Sequence, residues 1–194
     1  MASPISHAVA ALSITACFYR PQVRKRVWAL GVACTILPDL DVIGFAFGIH
    51  YGDPLGHRGF THSVAFAAAL ATLVQVLGFR QGGEGLGRAA LWTYLFLVTA
   101  SHGLLDALTD GGLGVAFFAP FDNGRYFFPW RPIRVSPIGI APFFSERGLA
   151  VLRSEVVWVW LPAAVLAGVA VVVRRLRPHR LAPSPYDGEG GGSM

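Results

Sequence analysis

Apolar residues in this chain are gathered into long runs, and the basic residues stand between them. The runs are 5–19, 27–49, 61–79, 89–108 and 149–173. Arg20, Arg24, Lys25 and Arg26 follow the first run, Arg80 and Arg88 flank the Gly-rich turn after the third, and Arg174, Arg175 and Arg177 close the last. A helix needs about 20 apolar residues to cross a bilayer. Four of the runs reach that length or come close to it, and the first falls short. Only 14% of residues are charged, against roughly 25% in soluble domains. The expected fold is therefore all-α: a polytopic membrane helical bundle of about five hydrophobic segments with a long outward-facing loop. A four-span variant lays the first helix partly in the interface. Residues 1–180 form a single membrane-embedded domain, and the Gly-, Ser- and Pro-rich tail 181–194 is expected to be disordered.

The net charge of +5 does not point to nucleic acid, because the basic residues sit at the ends of apolar runs and form no soluble basic face. It sets an orientation instead. With 20–26, 80–88 and the C-terminus on the cytoplasmic side, that side holds ten of the sixteen Lys and Arg residues. The expected location is a bacterial-type inner membrane, multi-pass, with the N-terminus outside. Cys17 and Cys34 lie inside apolar runs without a CxxC spacing and read as small buried hydrophobes.

This orientation brings the polar residues within the runs to one depth. His7, Asp39, Asp41, His57, His62, His102, Asp106 and Glu155 all fall on the outer side, while His50 and His179 stay apart. Each has a plain structural reading when taken alone: a helix-start histidine, a kinking aspartate, an interfacial imidazole. Glu155 reads most simply as the partner of Arg153 or of a loop arginine. The gathering is more specific than any of its members, because ionisable groups within membrane segments are costly.

The spacings carry chemistry. His102 and Asp106 share a helix face at i,i+4. Asp39 and Asp41, after Pro38, would align on extended backbone where the helix breaks. His57 and His62 are five apart, with Gly59 to turn the chain between them and Thr61 as a helix cap. His7, Asp39, Asp41, His57, His62, His102 and Asp106 give seven N/O ligands. That number suits two divalent metal ions, with Zn²⁺ favoured and Mn²⁺ or Fe²⁺ also accommodated. Arg58 would hold the charged oxygens of a substrate. The aromatic stretch 109–147 is expected to cap the site.

These residues resemble a family of membrane-bound metal-dependent hydrolases, the YdjM family, also described as LexA-binding, inner-membrane-associated hydrolases. The resemblance rests on the early His7, on Leu37-Pro38-Asp39-Leu40-Asp41, on His57-Arg58-Gly59-Phe60-Thr61-His62-Ser63, and on His102 with Asp106. The family is distantly similar to zinc-dependent phospholipase C and P1 nuclease. That similarity implies His7, one of Asp39 or Asp41, one of His57 or His62, and His102 with Asp106 as ligands. No His-x3-Glu follows later in this chain, which favours two metals over three.

The expected function is hydrolysis of a phosphoester in a lipid or lipid-linked substrate. Two metals would activate the water, and whichever of Asp39 or Asp41 is not a ligand would act as general base. Two alternatives are a metal-dependent lipid amide or ester hydrolase and a non-enzymatic metal-binding membrane protein.

Overall fold

A computed structural model describes residues 1–80 and 85–176. The first residues of the Gly-rich turn, together with Arg177, His179, Arg180 and the expected disordered tail, lie outside the described residues. The fold is all-α, with no strand among the described residues.

Five helical legs run alternately up and down. Helix α1 (Pro4–Phe18) descends, with Ser3 accepting from the Ser6 amide as its N-cap. Helix α2 (Lys25–Ile36) ascends and passes into a 3-10 helix, Leu37–Phe47, with Pro38 in its first turn. Helix α3 (Val64–Gly78) descends and α4 (Arg88–Ala107) ascends. A short α5 (Ile140–Phe143) and α6 (Glu146–Glu155) follow the long loop. A π-helical turn, Val156–Trp160, then joins α6 to the descending α7 (Leu161–Leu176). Because ascending and descending legs alternate, the starts of α1 and α3 meet the ends of α2 and α4. The polar residues of four legs thereby reach one end of the bundle.

The core lies in the other half. Tyr94, Leu91, Leu95 and Val98 of α4 pack on Val27 of α2, Ala11 of α1 and Ala71 of α3. The Tyr94 hydroxyl meets Thr15 Oγ1 at 3.0 Å, which satisfies a buried polar group inside this apolar layer. On α7 the apolar face points outward: Val165 is 65% exposed and Leu176 76%. A stripe of that kind suits hydrocarbon rather than water.

Two helical stretches are long and apolar enough to cross a membrane, Lys25–Phe47 and Glu146–Leu176, where about five were expected. The reason is length. Helices α1 and α3 have 15 residues each, about 22 Å of rise against a hydrocarbon core of about 30 Å. Helix α4 has 20 residues, but its upper turns carry His102 and Asp106.

Three local expectations are corrected. Asp39 and Asp41 lie on a 3-10 helix rather than extended backbone. Ser63, not Thr61, caps α3, accepting from the Phe66 amide at 3.0 Å. His62 therefore closes a separate 3-10 turn, Phe60–His62, just before the helix. The last helical leg begins at Glu146 rather than Leu149.

Candidate metal centre

The 3-10 conformation decides what the two aspartates do. At three residues per turn, positions i and i+2 point about 120° apart, so Asp39 and Asp41 serve different neighbours. Asp39 turns toward His62 and His102, with Oδ1 at 3.7 Å and 3.3 Å from their Nε2 atoms. Asp41 turns toward the loop: Oδ1 lies 2.7 Å from His57 Nδ1, and Oδ2 accepts from Thr61 Oγ1 at 2.8 Å.

The loop holding His57 and His62 is tightly wound. The Phe60 amide donates to Pro54 O at 2.8 Å and the His62 amide to Gly59 O at 3.0 Å. Gly59 stands in this turn with a negative φ, and the positive φ belongs to its neighbour Arg58, at 63°. Gly59 is required for another reason: a Cβ there would come within 2.3 Å of Pro54 O.

At the centre, His62 Nε2 and His102 Nε2 lie 3.0 Å apart. His102 Nδ1 donates to the carbonyl oxygen of Thr35 at 2.7 Å. That carbonyl can only accept, so the tautomer is fixed and the Nε2 lone pair faces inward. His62 Nδ1 is turned to Thr61 Oγ1 at 3.0 Å and Asp41 Oδ2 at 3.3 Å. Asp106 Oδ2 lies 3.6 Å from His62 Nε2. His7 stacks on the His102 ring at 3.7 Å and brings its own Nε2 to 3.5 Å from Asp106 Oδ1.

These separations fit a metal ion. Zinc–nitrogen bonds of about 2.05 Å in tetrahedral array set ligand atoms about 3.3 Å apart. Four of the separations among Asp39, His62, His102 and Asp106, at 3.0–3.7 Å, bracket that value, and all of their ligand atoms lie within 4.8 Å of one another. Both nitrogens of His7, both carboxylate oxygens of Asp39 and His57 Nε2 are buried without a hydrogen-bond partner among the described residues. Buried polar atoms are normally satisfied, and a cation could satisfy this donor set. Two groups of residues can each hold an ion: Asp39, His62, His102 and Asp106, and Asp41, His57 and His62. They differ in kind, because Asp41 is already bonded to His57 and Thr61.

Arg58, expected to face substrate, is fully buried and turned onto protein. Its Nε donates to Asp106 Oδ2 at 3.1 Å, its Nη1 to Gly111 O and Leu113 O, and its Nη2 to Thr109 Oγ1 at 2.8 Å. A guanidinium committed in this way orients a carboxylate and has no free edge for a substrate oxygen.

Around this cluster lies a shell that the sequence reading did not find. Glu155, paired in expectation with an arginine, instead accepts from the amide and hydroxyl of Ser3, each at 2.5 Å, and so pins α6 to the start of α1. The Ala2 amide donates to Asp106 Oδ1 at 2.7 Å. Thr35 and Thr109 complete the support. Neither had a distinguishing sequence signal, since Thr35 acts through its backbone and Thr109 reads as an ordinary helix-end residue.

Above the cluster, Arg125 ties the loop 50–57 to the aromatic stretch. It donates to the carbonyls of His57, Tyr51, Asp53 and Gly114. Burial lowers the pKa of Arg125 from its ordinary value and raises that of the Tyr51 phenol. Asp110 and Asp122 act as turn residues, accepting from the amides of Val135 and Gly124.

The family model of the YdjM inner membrane protein matches residues 1–177 of this chain. The chain is 38% identical to the inner membrane protein YbcI of Escherichia coli (strain K12) over 169 residues, covering 87% of this chain and 96% of that protein. No solved structure matches it.

Proposed function

The chain belongs to the YdjM family of inner membrane proteins, and from that premise and its buried histidine–aspartate cluster we propose a metal-dependent membrane hydrolase that cleaves a phosphoester in a lipid or lipid-linked substrate. The observation that carries the reading is the approach of His62 Nε2 to His102 Nε2 at 3.0 Å between the carboxylates of Asp39 and Asp106. Two imidazole nitrogens at that distance are joined either by one shared proton or by a cation, and the two carboxylates beside them suit a cation.

In this reading Asp39, His62, His102 and Asp106 would hold one divalent ion, with Zn²⁺ suited by the two imidazoles of the mixed N/O set, and His7 stands beside it as a further donor. A second ion would use His57 Nε2. A bound divalent ion supplies Lewis acidity and acidified water at neutral pH. The remaining work falls to the chain. Asp41 holds His57 and, through Thr61, the turn that aims His62. Arg58 fixes the rotamer of Asp106. The Thr35 carbonyl sets the tautomer of His102. The long loop, with Phe121 92% exposed and Trp130 59% exposed, provides the aromatic contact with the interface from which an amphiphile would enter.

We place the cluster on the periplasmic side of a multi-pass bundle, because Arg20, Arg24, Lys25, Arg26, Arg88, Arg174 and Arg175 all lie at the opposite end. The test is metal analysis of the purified full chain together with a phospholipid and lipid-linked substrate screen in Zn²⁺ or Mn²⁺, read by mass spectrometry. Phosphorylated products, abolished together with bound metal by His62→Ala, support the reading. Acyl or amide products move it to a lipid ester or amide hydrolase. The near-complete burial of His62, His102 and Asp106 favours a second reading, a non-enzymatic metal-binding protein, for which bound metal without turnover is the signature.

A further inference from the structure

At the end of the bundle away from the cluster, a cleft of about 510 Å³ opens between α1, α4 and α7. We propose that this cleft is a binding site for an anionic phospholipid, with the phosphate held by Arg20 and Arg174 and an acyl chain laid between α4 and α7.

The cleft follows from how the helices pack. Helix α1 packs against both α4 and α7, so a groove between those two is floored by α1. Small residues keep it open: Ala90 on α4 and Ala170 on α7 both line it. Its walls are hydrocarbon, from Phe18, Leu86, Leu166 and Val169, and its charged lining residues are Arg20 and Arg174. From His7 to Cys17 along α1 is ten residues, about 15 Å of rise, so this site is separate from the metal centre and independent of the function proposed for it.

The two arginines are placed for an anion. Arg174 is held in position, its guanidinium 4.8 Å over the Tyr19 ring and its Nη1 donating to Ala16 O at 3.1 Å, which leaves further N–H groups uncommitted. The Arg20 side chain takes no partner among the described residues. No carboxylate is among the described residues that line it. Among the described lining residues an ammonium finds no carboxylate, whereas a purely anionic headgroup is matched by two guanidiniums. Basic pockets between membrane helices on the positively charged side recognise such headgroups through the phosphate.

The chain carries its own reporter. Cys17 lines the cleft and is exposed, while the other cysteine, Cys34, is 3% exposed in the core. The experiment measures the rate of maleimide alkylation of Cys17 in delipidated full-length protein, then after adding bicelles of phosphatidylglycerol, bicelles of phosphatidylcholine, or inorganic phosphate. Phosphatidylglycerol should slow alkylation about tenfold, as expected for one or two charge-assisted hydrogen bonds, and phosphatidylcholine and phosphate should leave it nearly unchanged. The double variant Arg20→Gln with Arg174→Gln should lose the protection. So should Arg20→Gln alone in part, and its exposed position spares the fold. Native mass spectrometry should show a retained phosphatidylglycerol adduct on the wild type and none on the double variant. Equal protection by both lipids, protection by phosphate alone, protection unchanged in the variants, or a Cys17 already unreactive without lipid would each overturn the proposal.

Discussion

The Nε of Arg58 donates to Oδ2 of Asp106 at 3.1 Å from a residue whose backbone is held at φ 63°. A non-glycine residue in that region costs on the order of 1 kcal/mol or more, and it persists here because four separate acceptors hold the side chain. Arg58→Lys keeps the charge but cannot reproduce the fork. We expect it to lower bound metal and to destabilise the fold by about 3 kcal/mol, near the lower end for disrupting a buried pair. Metal analysis and thermal unfolding of the purified protein check both effects. A variant that keeps full metal and loses turnover alone would return Arg58 to the substrate.

The two histidines of the loop should separate. His62 faces the carboxylates of Asp39 and Asp106, whereas His57 is bonded to Asp41. His62→Ala is expected to abolish metal binding. Asp41→Asn, which weakens support behind the ligands, should reduce affinity about 10- to 100-fold without abolishing it. Competition against a chelator of known affinity gives the two constants, and identical loss in both variants would contradict the division of roles.

Gly103 sets how closely α4 approaches the loop. A Cβ at that position would lie 2.7 Å from the backbone oxygen of His62. Backbone yields less readily than a side chain, so Gly103→Ala should cost about 1–3 kcal/mol and weaken metal binding by moving His102 away from His62. Unfolding midpoints and metal titration measure the two effects. A variant with wild-type values in both would show that the helix can shift freely.

Glu155 offers the opposite pattern. Its carboxylate accepts from Ser3 in two bonds, and it stands at the start of α1 where negative charge is favourable. Glu155→Gln should cost about 1–3 kcal/mol of stability and leave metal stoichiometry unchanged. Loss of metal in this variant would instead make Glu155 part of the centre.

The convergence of His7, Asp39, His62, His102 and Asp106 was legible from the sequence because it needs only two facts, the alternation of the legs and the i,i+4 spacing on α4. The direction of Arg58 was not legible. An arginine beside two histidines reads as a substrate contact, and only the acceptors at Thr109, Gly111 and Leu113, some fifty residues on, turn it inward. The count of crossing segments failed for a related reason. Apolar composition marks helices of 15 residues as readily as those of 23, and the 3-10 turn Phe60–His62 that shortens α3 at the site carries no hydropathy signal. Glu155 was misassigned because its partner is a backbone amide at the far end of the chain, which no charge pattern reveals.

Arg125 grips carbonyl oxygens alone, those of Tyr51, Asp53, His57 and Gly114. Carbonyls belong to every residue type, so the roof over the cluster is insulated from most changes in the side chains it joins. Residues 51 and 53 can vary to suit a different membrane surface or guest molecule while the roof keeps its shape. The same arrangement concentrates the vulnerability. A replacement at Tyr51 or Asp53 leaves the accepting carbonyl in place, but one replacement at Arg125 releases all four and frees two loops from each other at once.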